Sequence, residues 1–238
     1  ALESAGYVEM TVQTMRRFGG YVQRTEPGFR VPAGQRYRSP GRLAICGDWS
    51  SAAFWLCAGA LSGEIACGGL DENSAQGDRA VEPLLAQMGA QVCRNGQEVI
   101  VRPGTLSAIQ IDAGNIPDLI PVLAAVAATA SGKTHITNAA RLRIKESDRL
   151  TAVTQVLTAL GADVVEGADR LTITGQPEGL AGGVTVDSHN DHRIAMMAAI
   201  AATRCAAPVT IIGAECVAKS YPDFWEDYER LGGQIQRS

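Results

Sequence analysis

Leu160-Gly161-Ala162-Asp163-Val164 ends an amphipathic helix pattern and leads directly into an extended segment. A glycine at such a stop permits the left-handed backbone conformation that closes many helices. The same transition occurs four times, with its glycine at Gly19, Gly89, Gly161 and Gly232, and the successive spacings are 70, 72 and 71 residues. Spacings this regular predict an internal structural repeat.

Each stop is preceded by a predicted amphipathic helix, because apolar residues recur there with a helical period. In the second copy these residues are Val81, Leu84, Leu85 and Met88. The third and fourth copies have the apolar sets Leu150, Val153, Val156, Leu157 and Leu160, and Phe224, Trp225, Tyr228 and Leu231. A hairpin is expected after a stop, since the turn pair Asn95-Gly96 joins two extended segments.

A second kind of helix is apolar on nearly all sides, which predicts that it is buried. Three such segments precede the last three amphipathic helices, and they cover residues 52–57, 119–126 and 194–200. Strand, buried helix, strand, amphipathic helix and hairpin follow one another in that order. This order predicts an α/β fold of repeated β-α-β-α-β-β units with the buried helices at the centre of one core.

The repeat units divide the chain into two unequal parts. Residues 47–238 hold three units, at about 47–105, 106–175 and 176–238. Residues 1–46 hold only an amphipathic helix and a hairpin, which we interpret as the closing half-unit of another domain. The last unit stops after one strand, and the chain does not begin with methionine. The sequence therefore predicts a piece of a longer protein, open at both ends.

Composition argues against several functional classes. A net charge of −4 and a pI near 5.4 argue against a nucleic-acid partner or an anionic membrane surface. The longest apolar run, Leu119 to Ala130, is too short to cross a bilayer. Six cysteines without a C-x-x-C pair indicate free thiols and a cytoplasmic protein. No nucleotide-binding motif is present, and His189 and His192 lack a further ligand cluster, so neither a cofactor nor a metal is expected.

The most charged segment is Arg141-Leu142-Arg143-Ile144-Lys145-Glu146-Ser147-Asp148-Arg149, with six charges in nine residues. One interpretation is a solvated helix start, with Ser147 or Asp148 as the N-cap. The other interpretation is an anion site, because Arg193 opens a buried helix and an arginine there is costly unless an anion meets it.

Arg149, Arg193 and Lys219 each lie at or near a helix start, so we expect them to converge on a phosphate or carboxylate. Removing one of them is expected to weaken anion binding with little loss of stability. Asp118, Glu146 and His192 are the candidate acid and base groups. For Asp118, which begins the most apolar helix, capping of backbone N–H groups is the alternative role.

The charged motifs resemble those of one enzyme family, the EPSP synthases. Residues 143–149 match the family's R-x-K-E-[ST]-D-R motif, and residues 187–193 resemble its N-D-H-R segment. Four further segments match in order: Gly47-Asp48-Trp49-Ser50-Ser51-Ala52, Gln76-Gly77-Asp78, Asn115-Ile116-Pro117-Asp118 and Ala218-Lys219-Ser220-Tyr221-Pro222. The resemblance covers nearly the whole chain, which would be slightly more than half of the family's enzyme.

The resemblance implies a fold and a reaction. The family folds as two domains of repeated units, each an inside-out α/β barrel around buried parallel helices, with substrates bound in the cleft between the domains. The reaction moves an enolpyruvyl group from phosphoenolpyruvate to the 5-hydroxyl of shikimate 3-phosphate, in the shikimate pathway of aromatic amino acid biosynthesis, and releases phosphate. No cofactor or metal is needed.

The resemblance also assigns roles to residues of this chain. The catalytic positions are Asp118, Glu146 and Lys145. Phosphoenolpyruvate contacts fall on the positions Arg149, Arg193, Lys219 and His192. Shikimate 3-phosphate contacts fall on Ser4, Tyr7, Asp118 and Lys145, and on Arg141, which stands where some members have Asn.

Several of the family's substrate contacts have no counterpart here, since they belong to the missing N-terminal half. The chain is therefore expected to be inactive alone, with a complementary N-terminal half as its possible partner. Two other interpretations stay open at this point. One is an enzyme like the related UDP-N-acetylglucosamine enolpyruvyl transferase, and the other is a non-catalytic fragment that only binds an anion.

Overall fold

The computed structural model describes residues 5–237 as an alternation of helices and short strands. The helices are α1 Ala5–Arg17, α2 Trp49–Leu61, α3 Val81–Met88, α4 Ile120–Ala127, α5 Arg149–Ala159, α6 His192–Ala202 and α7 Phe224–Arg230. The strands are β1 Gln23–Thr25, β2 Gly28–Arg30, β3 Ile65–Cys67, β4 Gln91–Asn95, β5 Glu98–Arg102, β6 Gln110–Asp112, β7 Lys133–Thr137, β8 Asp163–Glu166, β9 Leu171–Thr174, β10 Leu180–Gly182, β11 Thr185–Asp187, β12 Cys205–Ala207 and β13 Thr210–Ile212. None of the described helices is long and apolar enough to cross a membrane.

The three apolar helices α2, α4 and α6 form the centre of the core, as the sequence predicts. Nearly all of their residues are buried, and the helices contact one another. Their carboxyl ends meet, because Ser62 Oγ donates to Thr203 Oγ1 at 2.8 Å just beyond α2 and α6. Their amino ends also meet, because Arg193 Nη1 in α6 donates to the carbonyl of Asp118 before α4 at 3.2 Å. The helices therefore run parallel, and their amino ends share one face of the protein.

The segment from β6 to β9 contains a complete β-α-β-α-β-β unit. Its sheet has the order β6-β7-β9-β8, in which β6 and β7 are parallel and the other pairs are antiparallel. The amphipathic helix α5 buries its predicted apolar face, including Leu150, Val153 and Leu157. These features confirm the predicted fold class.

The glycine stops adopt the predicted geometry. The φ values are 77° at Gly19, 102° at Gly89, 103° at Gly161 and 100° at Gly232, and all four lie in the left-handed region. At Gly89 an added Cβ would lie 2.3 Å from the carbonyl oxygen of Thr105. That stop therefore requires glycine both for its backbone conformation and for close packing.

The outer units depart from the predicted pattern. No strand lies between β2 and α2, so the sheet of that unit has the order β3-β5-β4. The strand predicted after the stop at Gly232 is wrong, since residues 234–237 form no regular structure. Residues 234–237 pair with no strand in the described part of the chain, and an extended segment without a partner leaves its backbone groups to the solvent.

The last unit consists of two short parallel pairs, β10 with β12 and β11 with β13. In the complete unit the corresponding inner strand β7 is flanked on both sides, by β6 and by β9. In the last unit no further strand of the described residues joins β12 or β13. Within the described residues, the edge formed by β12 and β13 is therefore unpaired.

The first described segment is attached to the core more weakly than the rest. Only Val12 of α1 is buried, and neither Val12 nor Val22 belongs to the main hydrophobic core. An open groove of about 410 Å³ lies along α1 and is lined by Tyr7, Met10, Thr11, Thr14 and Met15. These observations agree with the predicted boundary near residue 47, which stays a prediction.

Limited proteolysis should cut the chain within residues 5–46 before it cuts α4 or α6. The reason is that segments with few buried contacts open locally at low free-energy cost. Mass spectrometry of early fragments provides the measurement, with denatured chain as the control for intrinsic cleavage sites. Protection of residues 5–46 equal to that of α4 would contradict the boundary.

Candidate active site

A buried arginine organises the face where the amino ends of the core helices meet. Arg149 begins α5 and its side chain is 0% exposed. Its Nε donates to Asp191 Oδ2 at 2.8 Å and its Nη2 to Asp191 Oδ1 at 3.2 Å. Its Nη1 donates to Asp118 Oδ1 at 2.7 Å, and its Nη2 to Glu146 Oε2 at 2.6 Å. One guanidinium thus joins three carboxylates from three separate segments.

Asp118 is surrounded by cations. Besides Arg149, Lys145 Nζ lies 3.2 Å from Asp118 Oδ1 and Arg193 Nη2 lies 3.5 Å from Oδ2. Burial acts to raise the pKa of Asp118, but Arg193, Lys145 and Arg149 outweigh it and hold that pKa below its usual value. The carboxylate is therefore ionised at neutral pH. The capping alternative is wrong, because α4 begins without a side-chain cap.

Asp191 connects α5 to α6 and is itself fully buried. It is the N-cap of α6, where its side chain accepts from the backbone N of Arg193 at 2.9 Å. It also accepts from Ser147 Oγ at 3.0 Å. Burial raises the pKa of Asp191, but the hydrogen bonds and charge of Arg149 outweigh burial and lower it. Asp191 therefore fixes both Arg149 and the first turn of α6.

Glu146 and Lys145 lie at the solvent side of this network. The side chain of Glu146 is 46% exposed, while one of its oxygens accepts from Arg149. Lys145 is partly buried and directs its ammonium to Asp118. The arrangement gives one accessible carboxylate and one ammonium close to the ionised Asp118. Such a set can exchange protons with a bound molecule on this face.

Arg193 and His192 occupy the first turn of α6. Arg193 binds both the side chain and the carbonyl of Asp118. His192 is nearly buried, and its Nδ1 has no hydrogen-bond partner among residues 5–237. Burial and the charge of Arg193 lower the pKa of His192, although Asp191 partly opposes them. The imidazole is therefore neutral at neutral pH.

Lys219 lies at the end of a 3-10 helix, Ala214–Lys219, just before α7. Its Nζ donates to the carbonyl of Asn190 at 2.8 Å and to Asn190 Oδ1 at 2.6 Å. Asn190 and its neighbour His189 have φ values of 54° and 52°, an uncommon conformation for such residues. Lys219 therefore supports the loop that leads into Asp191.

The remaining predicted site residues are Arg141, Tyr7 and Ser4. Arg141 lies partly buried in the 3-10 helix Ala140–Ile144, at the start of the charged segment. Tyr7 lies on α1, and its hydroxyl donates to Asp78 Oδ2 at 3.5 Å. Ser4 falls outside the described residues. No group of three or more His, Cys, Asp or Glu side chains within residues 5–237 could hold a metal ion.

The structure brings most of the predicted residues together. Asp118, Lys145, Glu146, Arg149 and Arg193 form one continuous network of ion pairs. The predicted N-cap Asp148 is confirmed, because its side chain accepts from Thr151 N at 3.2 Å.

Asp191 and Asp78 were not singled out from the sequence as site residues. The signal for Asp191 is its place one residue before a helix that opens with charged groups. Such a carboxylate is oriented by the helix it caps and can still pair with a cation. Asp78 lies in the matching segment Gln76-Gly77-Asp78, but its local sequence does not indicate that it is buried against Ser50 of α2.

Comparison with known proteins gives consistent results. The family model described as EPSP synthase (3-phosphoshikimate 1-carboxyvinyltransferase) matches residues 2–228. The 3-phosphoshikimate 1-carboxyvinyltransferase of Clostridium kluyveri is 46% identical over 235 residues, which cover 98% of this chain and 54% of that protein. The protein of the same description from Methanocorpusculum labreanum is 41% identical and is matched over 99% of this chain and 55% of its own length.

Two solved structures share the fold. EPSP synthase from Acinetobacter baumannii matches with a TM-score of 0.84 and 30% identity, over 95% of this chain and 55% of that one. The enolpyruvyl transferase NikO from Streptomyces tendae matches with a TM-score of 0.80 and 25% identity, over 100% of this chain and 55% of that one. This chain spans about half the length of the relatives it matches. Since the family model covers nearly all of it, the chain belongs to the EPSP synthase family.

Proposed function

We propose that this chain is the C-terminal portion of an enzyme that transfers the enolpyruvyl group of phosphoenolpyruvate to the 5-hydroxyl of shikimate 3-phosphate and releases phosphate. The observation that carries the proposal is the ion-pair network around Arg149, in a chain that the family model matches over residues 2–228. The network places an accessible carboxylate beside cations on one face, as addition and elimination at an anionic substrate require.

The residues of the network take separate roles in this proposal. Glu146 exchanges a proton with the reacting carbon or hydroxyl, because it is the accessible carboxylate. Asp118 binds the acceptor substrate and shares the proton transfer, with Lys145 close to both substrates. Arg193 and Lys219 bind the phosphate or carboxylate of phosphoenolpyruvate, and His192 lines the same pocket as a neutral group.

Arg149 differs from the other two proposed cations, because three carboxylates already occupy most of its N–H donors. An anion on this face must therefore compete with Asp118 and Glu146 for the guanidinium. The expectation that loss of Arg149 would leave stability nearly unchanged does not fit its complete burial.

Tyr7, Ser4 and Arg141 are proposed to contact shikimate 3-phosphate, together with residues of an N-terminal half outside this chain. We propose that this half is the partner needed for activity and that the substrates bind between the two parts. The six cysteines are all free thiols, which supports a reducing, cytoplasmic location.

The chain alone should release no measurable phosphate from phosphoenolpyruvate and shikimate 3-phosphate. Mixing it with the N-terminal half of the Clostridium kluyveri relative should restore turnover, because the missing substrate contacts are then supplied. Phosphate release is the measurement, with either half alone as the control. UDP-N-acetylglucosamine should not replace the acceptor.

Two outcomes would count against this proposal. Turnover by the chain alone at the rate of a full-length relative would show that the second half is not needed. Stable association of the halves without any turnover would favour a fragment that only binds an anion.

A further inference from the structure

Asp78 is a buried carboxylate to which the proposed reaction gives no role. It lies in the 3-10 helix Gly77–Ala80 and is 0% exposed. Its Oδ2 accepts from Ser50 Oγ and from the Tyr7 hydroxyl, the latter at 3.5 Å. Its Oδ1 has no hydrogen-bond partner among residues 5–237. A buried carboxylate oxygen without a partner costs free energy, so its presence calls for a functional explanation.

The groups on the core side of Asp78 are held rigidly. Gln76 Nε2 donates to Ser50 Oγ at 2.8 Å and to Asp48 Oδ1 at 2.6 Å. Gln76 Oε1 accepts from the backbone N of Trp49 at 3.0 Å. Ser50 is therefore fixed at the first turn of α2. Tyr7, which donates a hydrogen bond to Asp78, belongs to α1, the weakly attached segment.

The segment that carries Asp78 packs against the segment that leads to Asp118, because a Cβ added at Gly77 would lie 2.6 Å from the carbonyl oxygen of Asn115. Burial raises the pKa of Asp78, and the charges of Asp118 and Asp48 act in the same direction, while Ser50 and Arg193 oppose them. Burial of the phenol and the charge of Asp78 raise the pKa of Tyr7, with a smaller contribution from Asp118. Arg193 acts to lower the pKa of both groups, so the charges of the ion-pair network reach Tyr7 and Asp78.

We propose that Asp78 is a positioning residue that holds the Tyr7 hydroxyl beside Asp118 and Arg193 and thereby strengthens binding of the phosphorylated acceptor. The proposal rests on the proposed role of Tyr7 as a contact of shikimate 3-phosphate. Asp78 itself touches no substrate. Through this contact, α1 is linked to the amino end of α2 and to the catalytic face.

The first test measures the ionisation of Tyr7 in the chain itself, by ultraviolet absorbance of phenolate. Asp78→Asn removes a negative charge without changing shape, so it should lower the pKa of Tyr7 by roughly half a unit or more. The shifted transition should be missing from the Tyr7→Phe variant. An unchanged or higher pKa of Tyr7 in the folded Asp78→Asn chain would overturn the proposal.

A second tyrosine–aspartate pair, at α7, provides a matched control. The Tyr221 hydroxyl donates to Asp227 Oδ2 at 2.6 Å. Burial and Asp227 together raise the pKa of Tyr221 to about 12. Asp227→Asn should lower the pKa of Tyr221 and leave that of Tyr7 unchanged, while Asp78→Asn should do the reverse.

A second measurement uses the unsubstituted chain, in case Asp78→Asn fails to fold. The ring signals of Tyr7 in an NMR titration should shift as Asp78 takes up a proton, at a pH above the ordinary aspartate range. Asp118 has a lowered pKa and titrates below that range, so the two carboxylates are separable. Ring signals of Tyr7 that stay constant over this interval would overturn the contact.

The third measurement tests the functional half of the proposal in the enzyme restored from two halves. Asp78→Asn should raise the KM for shikimate 3-phosphate roughly tenfold, with a much smaller change in the KM for phosphoenolpyruvate. Tyr7→Phe should have a similar effect, and the double variant should be no worse than either. Additive effects, or a loss of kcat alone, would overturn the proposal. If the unsubstituted halves show no turnover, the proposed function fails, while the titrations still decide the Asp78–Tyr7 contact.

Discussion

Replacing Arg149 with methionine should lower the free energy of unfolding by about 3–5 kcal/mol, the usual cost of removing one partner from a buried ion pair. Asp191 is fully buried and would keep its charge without a cation, and Asp118 would lose its shortest ionic contact. Methionine retains most of the side-chain volume, so lost packing contributes little. Urea denaturation of the isolated chain provides the measurement.

Arg143 offers a matched control in the same segment. It pairs with Asp148 and Glu166, but its side chain is 30% exposed. Arg143→Met should therefore cost less than about 1 kcal/mol, as exposed ion pairs do. Equal losses for the two variants would show that the burial of Arg149 contributes nothing.

The effect of Arg149 on stability should depend on pH in a specific direction. The pKa values of Asp118 and Asp191 are lowered in the folded chain, by Arg149 among others. A lowered folded-state pKa contributes stability above the unfolded value, near 4, and this contribution is lost as the pH falls through the folded value. The difference between the unsubstituted chain and Arg149→Met should therefore be full at pH 7 and shrink below about pH 4. A constant difference would contradict the ion-pair explanation.

Glu146→Gln should lower turnover of the enzyme restored from two halves by about 10²-fold or more, the usual contribution of a general acid or base. The amide can still accept the hydrogen bond from Arg149, so the network should remain folded. It cannot take up and release a proton near neutral pH. Steady-state phosphate release measures the effect.

Two controls separate a chemical effect from a binding effect. Glu166→Gln removes a carboxylate that contacts Arg143 and lies outside the network, and it should leave turnover within a few-fold of the unsubstituted enzyme. Phosphate binding by the Glu146→Gln chain should be unchanged or stronger, since one competing carboxylate has lost its charge. Turnover that stays within threefold would exclude Glu146 as the proton-transferring group.

The repeat made most of the fold predictable from the sequence. The buried helices α2, α4 and α6 are apolar on all sides, and the glycine stops have the left-handed conformation that their spacing indicates. Local signals of this kind fix the type and order of elements. The absence of a strand at residues 234–237 was not predictable, because strand formation depends on a neighbouring strand that the local sequence does not specify.

The candidate site was predictable as a set of residues but not as a set of contacts. Arg149, Arg193 and Lys219 have the same charge and similar places near helix starts, so the sequence treats them alike. The structure buries Arg149 among carboxylates, leaves Lys219 exposed, and lets Arg193 bind Asp118. The difference arises from tertiary packing, which brings Asp191 of one unit against Arg149 of another.

The open edge of β12 and β13 has a practical consequence for the isolated chain. Unpaired backbone N–H and C=O groups along a strand form a template on which another extended segment can pair. Ile212 at the end of β13 is 56% exposed, so this edge also offers apolar surface. In the cell such an edge is an aggregation hazard during synthesis, before any partner segment has covered it. Whether the isolated chain stays free of aggregates then depends on how quickly a partner segment pairs with that edge, as well as on the stability of its core.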